Sequence, residues 1–360
     1  MNRINVTQTF LPPFEEYEKI LKRAWDKKWI TNNGELVLEL EEKLKAYLGV
    51  EHLLFTNNGT VVLQMALQAL EIKGDVITTP FSYVATTNAI LWEGSNPVFV
   101  DIDPVSFCID PSKIEASITE NTKAILATHV FGVPCDIEAI SKIAEKHNLK
   151  VIYDGAHAFG CTYNDKSLLS YGDISTCSFH ATKVFHTVEG GCIIASSKEL
   201  YDKLKLYRSF GHYGDDYYSV GINGKNSEFH AAMGLAVLPH MDEILSKRME
   251  LWNQYQNLLA PLNLMFLSNH FLKNFNYGYF PCIFNSKVEL ETALRLLNDH
   301  NIFPRKYFYP SLNTLPFLKF KSTCPISENI SQRILCLPLY PDLKSSEVEV
   351  ICSIIKEAAQ

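Results

Sequence analysis

The stretch that decides the fold runs from Ser178 to Gly191 and reads Ser-Phe-His-Ala-Thr-Lys-Val-Phe-His-Thr-Val-Glu-Gly-Gly. It begins at the end of an apolar run, residues 174–179, whose composition favours a β-strand. The chain then turns through small polar residues and presents one lysine, Lys183, just before the next apolar run. We therefore predict a strand, a polar bend that carries Lys183, and a second apolar segment after it.

A lysine in such a bend has two interpretations. Most lysines are simply exposed surface charges. Lysine becomes a nucleophile when its amine is partly removed from water or lies near other cations, because both lower its pKa and permit Schiff-base chemistry. Lys183 lies among His180, Thr182 and His186, and the remaining segments of the chain must decide between the two interpretations.

Size and charge limit the class of protein. The chain has 360 residues, 47% of them hydrophobic and 20% charged, so it can bury a large core, and its length suggests two domains or one large domain plus one small. The net charge of −7 and the lack of a long basic run argue against a nucleic-acid partner. The N-terminus has no apolar signal segment and no apolar span approaches about 18 residues, so we expect no membrane partner.

The nine cysteines indicate a reducing compartment. They are scattered, contain no Cys-x-x-Cys pair, and mostly lie in apolar stretches, as small buried side chains do. We therefore expect a cytoplasmic protein, and we expect no metal site.

Strand-like and helical segments alternate along the first half of the chain. After residues 53–55 the strand-like runs are 75–79, 98–100, 124–130 and 150–153, and the helical segments are 61–70, one from about residue 83, 111–117 and 136–147. This alternation predicts an α/β fold with a mostly parallel sheet and helices on both faces. Ligands bind beyond the carboxyl ends of such strands. Since Tyr83, Asp154 and the bend at 178–183 all follow strands, we expect them to share one edge of the sheet.

The second half predicts a smaller domain. A long helical segment from Glu228 to about Tyr255 is broken at Pro239. It is followed by an aromatic-rich strand at 277–284, a helix at 288–300, a loop at 305–310 and a final helix at 345–359. We predict a large domain over residues 1–240, which includes an N-terminal arm, and a small C-terminal α/β domain over residues 241–360.

Asp154 is the second candidate for chemistry, since it ends the apolar run 150–153 and precedes Gly155-Ala156-His157. An acid in this place either caps the next helix or pairs with the pyridine nitrogen of pyridoxal phosphate (PLP), which must stay protonated for the ring to accept electrons. His157 either bonds the phenolate oxygen of that ring or is an interior histidine paired with a backbone carbonyl. The turn Asn57-Asn58-Gly59-Thr60 likewise either caps a helix or binds a phosphate at the helix N-terminus.

Four motifs together resemble the DegT/DnrJ/EryC1/StrS family of sugar aminotransferases. They are Asn-Gly-Thr at 58–60, Asp-x-Ala-His at 154–157, Ser-Phe-His-Ala-Thr-Lys at 178–183 with Glu-Gly-Gly downstream, and Gly-Ile-Asn-Gly-Lys-Asn-Ser-Glu at 221–228. They follow the family's order, and the resemblance covers about residues 5–345. It implies the PLP-dependent aspartate aminotransferase fold (type I), which has a large, mostly parallel, seven-stranded sheet in its main domain.

The resemblance also implies roles for matching positions. Lys183 matches the Schiff-base lysine, Asp154 the pyridinium partner and His157 the hydrogen-bond partner of the phenolate oxygen. The other cofactor contacts that the resemblance implies are the phosphate contacts Gly59, Thr60 and Ser178, the ring-stacking Tyr83, and Asn223. Asn223 matches a residue that reaches the phosphate of a neighbouring subunit, which implies a homodimer with shared active sites. The segment 224–226 reads Gly-Lys-Asn where relatives often have Tyr-Arg-Met, so it supports no subgroup.

The substrate is predicted from three further segments, residues 6–13, 29–34 and 185–191. They look most like members that move an amino group from glutamate to C4 of dTDP-4-keto-6-deoxyglucose, which gives dTDP-4-amino-4,6-dideoxyglucose for the O-antigen of lipopolysaccharide. A C3 transaminase acting on a dTDP-3-keto-6-deoxyhexose is the alternative. His186, Tyr307 and Tyr309 are candidate sugar contacts, although His186 fits a backbone hydrogen bond and the loop at 305–310 fits domain packing equally well.

Two other classes of protein are compatible with parts of this pattern. The dehydratase branch of the family carries histidine at the Schiff-base position, and Lys183 argues against it. A non-catalytic PLP-binding regulator would not need Lys183, Asp154 and the phosphate contacts together. We therefore expect a PLP-dependent nucleotide-sugar transaminase.

Overall fold

The structure is a computed structural model that describes residues 3–267, 275–319 and 321–358. These residues form eleven α-helices: α1 (Phe14–Lys27), α2 (Glu35–Leu48), α3 (Gly59–Ala69), α4 (Val84–Trp92), α5 (Ile137–His147), α6 (Lys198–Arg208), α7 (Glu228–Val237), α8 (Met241–Leu259), α9 (Lys287–Asp299), α10 (Pro325–Arg333) and α11 (Ser345–Ala358). None of the described helices is long and apolar enough to cross a membrane.

The same residues form sixteen strands, several of them only two residues long. They are β1 (Ile4–Asn5), β2 (Leu53–Thr56), β3 (Asp75–Thr78), β4 (Asn96–Phe99), β5 (Thr122–Thr128), β6 (Lys150–Asp154), β7 (Thr162–Tyr163), β8 (Lys166–Ser167), β9 (Ile174–Ser178), β10 (Gly191–Ala195), β11 (His212–Tyr213), β12 (Asp216–Tyr217), β13 (Met265–Phe266), β14 (Phe280–Ile283), β15 (Ile302–Phe303) and β16 (Ile334–Leu337).

A seven-stranded sheet in the order β2-β10-β9-β6-β5-β3-β4 forms the centre of the molecule. The pairs β9-β6, β6-β5, β5-β3 and β3-β4 are parallel, whereas β10 is antiparallel to both of its neighbours. The predicted α/β architecture with a mostly parallel sheet is confirmed.

Helices cover both faces of this sheet because its strands are apolar on both faces. Along β10, Cys192 and Ile194 pack into the core beneath α2 and α5, while Ile193 and Ala195 pack into the core beneath α3, α4 and α6. Successive residues of a strand point to opposite faces, so one short apolar run contributes to both cores.

Five strands end at the same edge of the sheet, and each of them ends in a polar residue. They are β2, β3, β5, β6 and β9, whose last residues are Thr56, Thr78, Thr128, Asp154 and Ser178. Asp154 pairs with Thr128 of β5 on one side and with Thr176 of β9 on the other. The predicted meeting of Asp154 with the Ser178 bend therefore follows from strand register alone.

A smaller unit follows at the C-terminal end. β13, β14 and β16 form an antiparallel sheet, which packs with α8, α9 and α11. The N-terminal strand β1 joins this unit by pairing Ile4 with Ile302 of β15. We retain as a proposal the division into residues 1–240 and 241–360, since α8 begins at Met241.

Some predicted elements differ in detail. The predicted helix at 111–117 is two successive 3-10 turns, Pro111–Lys113 and Glu115–Ser117. Pro239 breaks the long helix as predicted, with a 3-10 turn between α7 and α8. The helix predicted at 345–359 ends at Ala358, and residue 359 lies outside the described residues. Helices α6 and α10 were not predicted.

A buried ion pair fixes β2, which leads into the edge described above. Arg208 of α6 donates to the Glu41 carboxylate of α2 and, at 2.7 Å, to the carbonyl of Phe55. Glu41 also accepts the amide of Phe55 at 2.8 Å. The two charged side chains are 4% and 5% exposed, so water cannot replace either partner.

We predict that Glu41→Gln destabilises the protein by about 3 kcal/mol, because it leaves the Arg208 charge buried without a counter-charge. Urea denaturation of the full chain measures this change. The matched control is Asp202→Asn, which removes the exposed pair with Lys198 and should leave stability almost unchanged. Equal effects of the two substitutions would contradict the prediction.

Candidate active site

A cavity of about 250 Å³ lies at the carboxyl edge of the central sheet. Eight of the residues predicted from the sequence line it: Gly59, Thr60, Tyr83, Asp154, His157, Ser178, Lys183 and Tyr307. They come from five separate stretches of sequence. The structure therefore brings most of the predicted site together.

Three predicted residues lie elsewhere. His186 is fully buried, and its Nε2 is 2.6 Å from the carbonyl oxygen of Phe10, so it contacts backbone and not the cavity. Tyr309 is 52% exposed and does not line the cavity. Asn223 is exposed outside the cavity, where its carbonyl accepts a hydrogen bond from the Asn57 side chain.

The bend after β9 holds Lys183 through its own backbone. The amide of Phe179 donates to Gly190 at 2.8 Å and the amide of Ala181 to Val188 at 2.7 Å. Phe179 and Phe185 pack against each other with ring centroids 4.9 Å apart and are fully buried. These contacts anchor both sides of the bend, which explains why a polar loop keeps Lys183 in a fixed place.

The amine of Lys183 is enclosed. Lys183 as a residue is only partly buried, but burial around Nζ lowers its pKa below the ordinary value of lysine. Nζ donates to the hydroxyl of Tyr279 at 3.2 Å. The nearby Asp154 carboxylate opposes the effect of burial without cancelling it. The result is an amine that deprotonates more easily than a surface lysine.

Asp154 is 5% exposed and both of its oxygens are hydrogen bonded. Oδ2 accepts from the hydroxyl of Thr86 at 2.7 Å, and Oδ1 accepts from the amide of Ala156 at 3.1 Å. Burial raises the pKa of Asp154, whereas these hydrogen bonds and the charge of Lys183 lower it. Asp154 does accept one amide, as the capping interpretation requires, but no α-helix begins there.

His157 is a neutral donor. Burial lowers its pKa well below the usual range, and the Lys183 charge acts in the same direction. Its Nδ1 accepts the amide of Phe131 at 3.2 Å, so the single ring proton must be on Nε2. The ring is stacked on Phe308 with centroids 5.5 Å apart. His157 thus presents one N–H group in a cavity-lining position.

The N-terminus of α3 forms one wall of the cavity. Asn58 caps this helix, because its Oδ1 accepts the amides of Thr60 and Val61 at 2.9 and 2.8 Å. Gly59 lies against Ser178, where an added Cβ would lie 2.7 Å from the Ser178 Cβ. Only glycine leaves this space open. The capping interpretation is therefore correct for Asn58, and the dipole of α3 still favours an anion here.

Arg305, in the loop at 305–310 for which the sequence left the cavity mouth and domain packing as alternatives, lines the cavity. Two residues that bond to predicted ones were missed: Tyr279 comes from the C-terminal unit, and Thr86 lies in the first turn of α4. Tyr279 is held from α8, since Trp252 Nε1 donates to its carbonyl at 3.3 Å. No local motif marks these residues, although the aromatic-rich segment at 277–284 was a signal for Tyr279.

Comparison with known proteins identifies the class. The model of the DegT/DnrJ/EryC1/StrS aminotransferase family matches residues 14–356, and the chain belongs to that family. The dTDP-4-amino-4,6-dideoxy-D-glucose transaminase of Shigella dysenteriae is 44% identical over 363 residues, with 98% of each chain covered. The Escherichia coli protein of the same name is 40% identical, with 98% of this chain and 97% of the relative covered.

A solved structure agrees with this membership. The structure of DesI in the presence of its TDP-sugar product has a TM-score of 0.95 and 29% identity, and the match covers 100% of this chain and 93% of DesI. The predicted type I fold, the predicted aminotransferase class and the predicted cofactor, PLP, are confirmed.

The residues present fit PLP. The cofactor needs an amine, an anion for its ring nitrogen, a donor for its phenolate oxygen and a dipolar cradle for its phosphate. The side chains of Lys183, Asp154 and His157 carry groups that match the first three. The space that a Cβ at Gly59 would fill, beside Ser178 at the N-terminus of α3, supplies the fourth.

We predict that covalent attachment of PLP to the cofactor-free protein speeds up with pH through a midpoint that lies below 10.5, the ordinary pKa of lysine. The cause is the lowered pKa of Lys183, since only the neutral amine reacts. The rate at which visible absorbance develops after PLP is added, followed between pH 6 and 12, measures this midpoint. Lys183→Arg should develop no such band. A midpoint at or above 10.5 would contradict the burial argument.

Proposed function

We propose that this chain moves an amino group from glutamate to C4 of dTDP-4-keto-6-deoxyglucose and so makes dTDP-4-amino-4,6-dideoxyglucose. The observation that carries the proposal is the enclosure of Lys183 and Asp154 in one cavity at the sheet edge. The two transaminases that are 44% and 40% identical support the choice of sugar and carbon, because they match along nearly the whole chain.

Lys183 has the central role in this proposal. Bound PLP supplies an aldehyde for amines and a ring that accepts the electron pair left when a proton leaves the substrate carbon. Lys183 would hold the aldehyde through its amine, and the same amine, when free, would accept and return the proton of the substrate carbon. Its lowered pKa favours the neutral form that this work requires.

The neighbouring residues hold the cofactor in our proposal. Asp154 would keep a proton on the ring nitrogen, and His157 Nε2–H would donate to the phenolate oxygen. Gly59, Thr60 and Ser178 would hold the phosphate with the N-terminus of α3, and Tyr83, which lines the same cavity, would stack on the ring. The roles of Asp154 and His157 use the acceptor and the donor that their side chains have available.

The mouth of the cavity is the proposed sugar site. Arg305 and Tyr307 both line it, with the Arg305 guanidinium 4.8 Å from the centroid of the Tyr307 ring. Burial raises the pKa of Tyr307 to about 12, so its hydroxyl stays protonated and can donate to a sugar oxygen. His186 is not part of the proposed sugar site, because its Nε2 is hydrogen bonded to the carbonyl oxygen of Phe10.

We also propose a cytoplasmic homodimer that serves O-antigen synthesis, with Asn223 completing the phosphate site of the partner. The exposed position of Asn223 outside its own cavity supports this arrangement, as do the exposed side chains Tyr217, Tyr218 and Val220 in the adjoining segment.

Mixing Asn223→Ala subunits with Lys183→Ala subunits tests whether the active sites are shared between subunits. A site in the mixed dimer is intact only if it takes Lys183 from one chain and Asn223 from the other. We therefore expect the mixture to be more active than either variant alone, and a mixture without this gain would contradict the proposal.

The substrate assignment is tested by incubating the enzyme with glutamate and a panel of keto-sugar nucleotides, then reading the product by NMR. We expect an amino group at C4 of the dTDP-6-deoxy sugar. Amination at C3 would establish the alternative transaminase, loss of a hydroxyl would establish the dehydratase class, and no turnover with any keto-sugar would favour a non-catalytic regulator.

We predict that Asp154→Asn lowers turnover by at least a hundredfold while the fold remains intact. The amide cannot hold a proton on the ring nitrogen, so the ring accepts electrons poorly. If Asp154 only capped backbone, the cost would be about 1 kcal/mol of stability and activity would persist. Single-turnover kinetics and thermal unfolding, measured on the same variant, separate the catalytic role of Asp154 from the capping role. Normal turnover in Asp154→Asn would contradict the catalytic role.

A further inference from the structure

Three buried hydroxyl groups form a continuous chain that ends on Asp154. Thr86 Oγ1 donates to Asp154 Oδ2 at 2.7 Å. Ser82 Oγ lies 2.8 Å from Thr86 Oγ1, and Thr128 Oγ1 donates to Ser82 Oγ at 3.1 Å. The three hydroxyl residues are at most 2% exposed, so bulk water does not compete for these bonds.

The direction of the chain follows from counting donors. An ionised carboxylate only accepts hydrogen bonds, so the single proton of Thr86 must go to Asp154. Thr86 can then only accept from Ser82, and Ser82 in turn accepts from Thr128. All three O–H dipoles therefore point towards the carboxylate, and hydrogen bonds arranged in series strengthen one another in a medium of low polarity.

The fold explains why these hydroxyls meet. Thr128 ends β5 and pairs directly with Asp154 at the end of β6. Ser82 lies in the loop after β3, the strand on the other side of β5, and Thr86 lies in the first turn of α4. The chain therefore crosses three elements at the same sheet edge and is not an accident of one loop.

We propose that Thr86 is a positioning residue for Asp154: backed by Ser82 and Thr128, it keeps the carboxylate ionised and oriented towards the cofactor ring. The inference rests on the proposed function, in which Asp154 is the partner of the PLP ring nitrogen. It adds a residue that acts on the reaction through Asp154 alone.

Few charged groups near Asp154 can stabilise its ionised carboxylate, so the hydroxyl groups must do so. The titratable groups that face it are Lys183 in the bend, His157 after β6 and Cys177 on β9. Burial lowers the pKa of His157 and raises the pKa of Cys177 to about 12, so both groups are neutral and neither offsets the charge of Asp154. The charge of Lys183 weakens as its lowered pKa is approached. The hydroxyl dipoles do not titrate, and they act at every working pH.

The test uses the full chain loaded with PLP that carries ¹⁵N in its ring. In Thr86→Val we expect the ring nitrogen to lose its proton at a lower pH than in the unmodified protein, and kcat to fall about tenfold or more. The KM for the keto-sugar should change little, because Thr86 does not line the cavity. Thr86→Ser keeps the hydroxyl and should restore both readouts.

Thr87→Val is the matched control. Thr87 is the next residue of α4, is fully buried, and its hydroxyl has no hydrogen-bond partner among the described residues. Valine there removes the same atoms without touching Asp154, so the ¹⁵N titration and kcat should stay unchanged.

The outcomes separate this inference from the proposed function. An unchanged ¹⁵N titration in Thr86→Val, or an equal shift in Thr87→Val, would overturn the inference, whatever sugar the enzyme uses. If Thr86→Val fails to fold, Ser82→Ala replaces it, since it removes the proton that Thr86 accepts. Ser82 lines the cavity, so the readout for this variant is the ¹⁵N titration alone. A smaller shift in the same direction is expected there, and no shift would overturn the inference.

Discussion

The electrostatic attraction between Lys183 and Asp154, two groups removed from water at one edge of a parallel sheet, is the interaction on which the site depends. Burial alone disfavours the charge on both groups, which lowers the pKa of the amine and raises that of the carboxyl. Each charge partly offsets the burial of the other. The net result is a lowered pKa for the amine of Lys183 and a raised pKa for Asp154, so the ionised carboxylate depends on further stabilising contacts.

That support comes from many parts of the fold. Strand register places Asp154 between Thr128 and Thr176, and the first turn of α4 adds Thr86. On the opposite side, Tyr279 reaches Lys183 from the C-terminal unit and is itself tied to α8. The small unit therefore completes the environment of the amine, which explains why the chemistry cannot be assigned to the large sheet alone.

The sequence was sufficient for features that depend on neighbouring residues. Alternating apolar segments predicted the parallel sheet, and residues that follow strands predicted which side chains meet, because parallel strands end at a common edge. It was insufficient where one contact decides the role of a residue. The Phe10 carbonyl removes His186 from the sugar site although 176 residues separate the two, and the hydrogen bonds of Tyr279 and Thr86 span 96 and 68 residues. No local pattern records such pairings.

The central claim is that this one amine, and no other lysine, meets the aldehyde of PLP beside a buried carboxylate. Borohydride reduction of the PLP-loaded protein, followed by digestion and mass spectrometry of the peptides, tests it most directly. We expect loss of the visible band and a single stable adduct on Lys183. An adduct on a different lysine, or a band that resists reduction and leaves Lys183 unmodified, would contradict it.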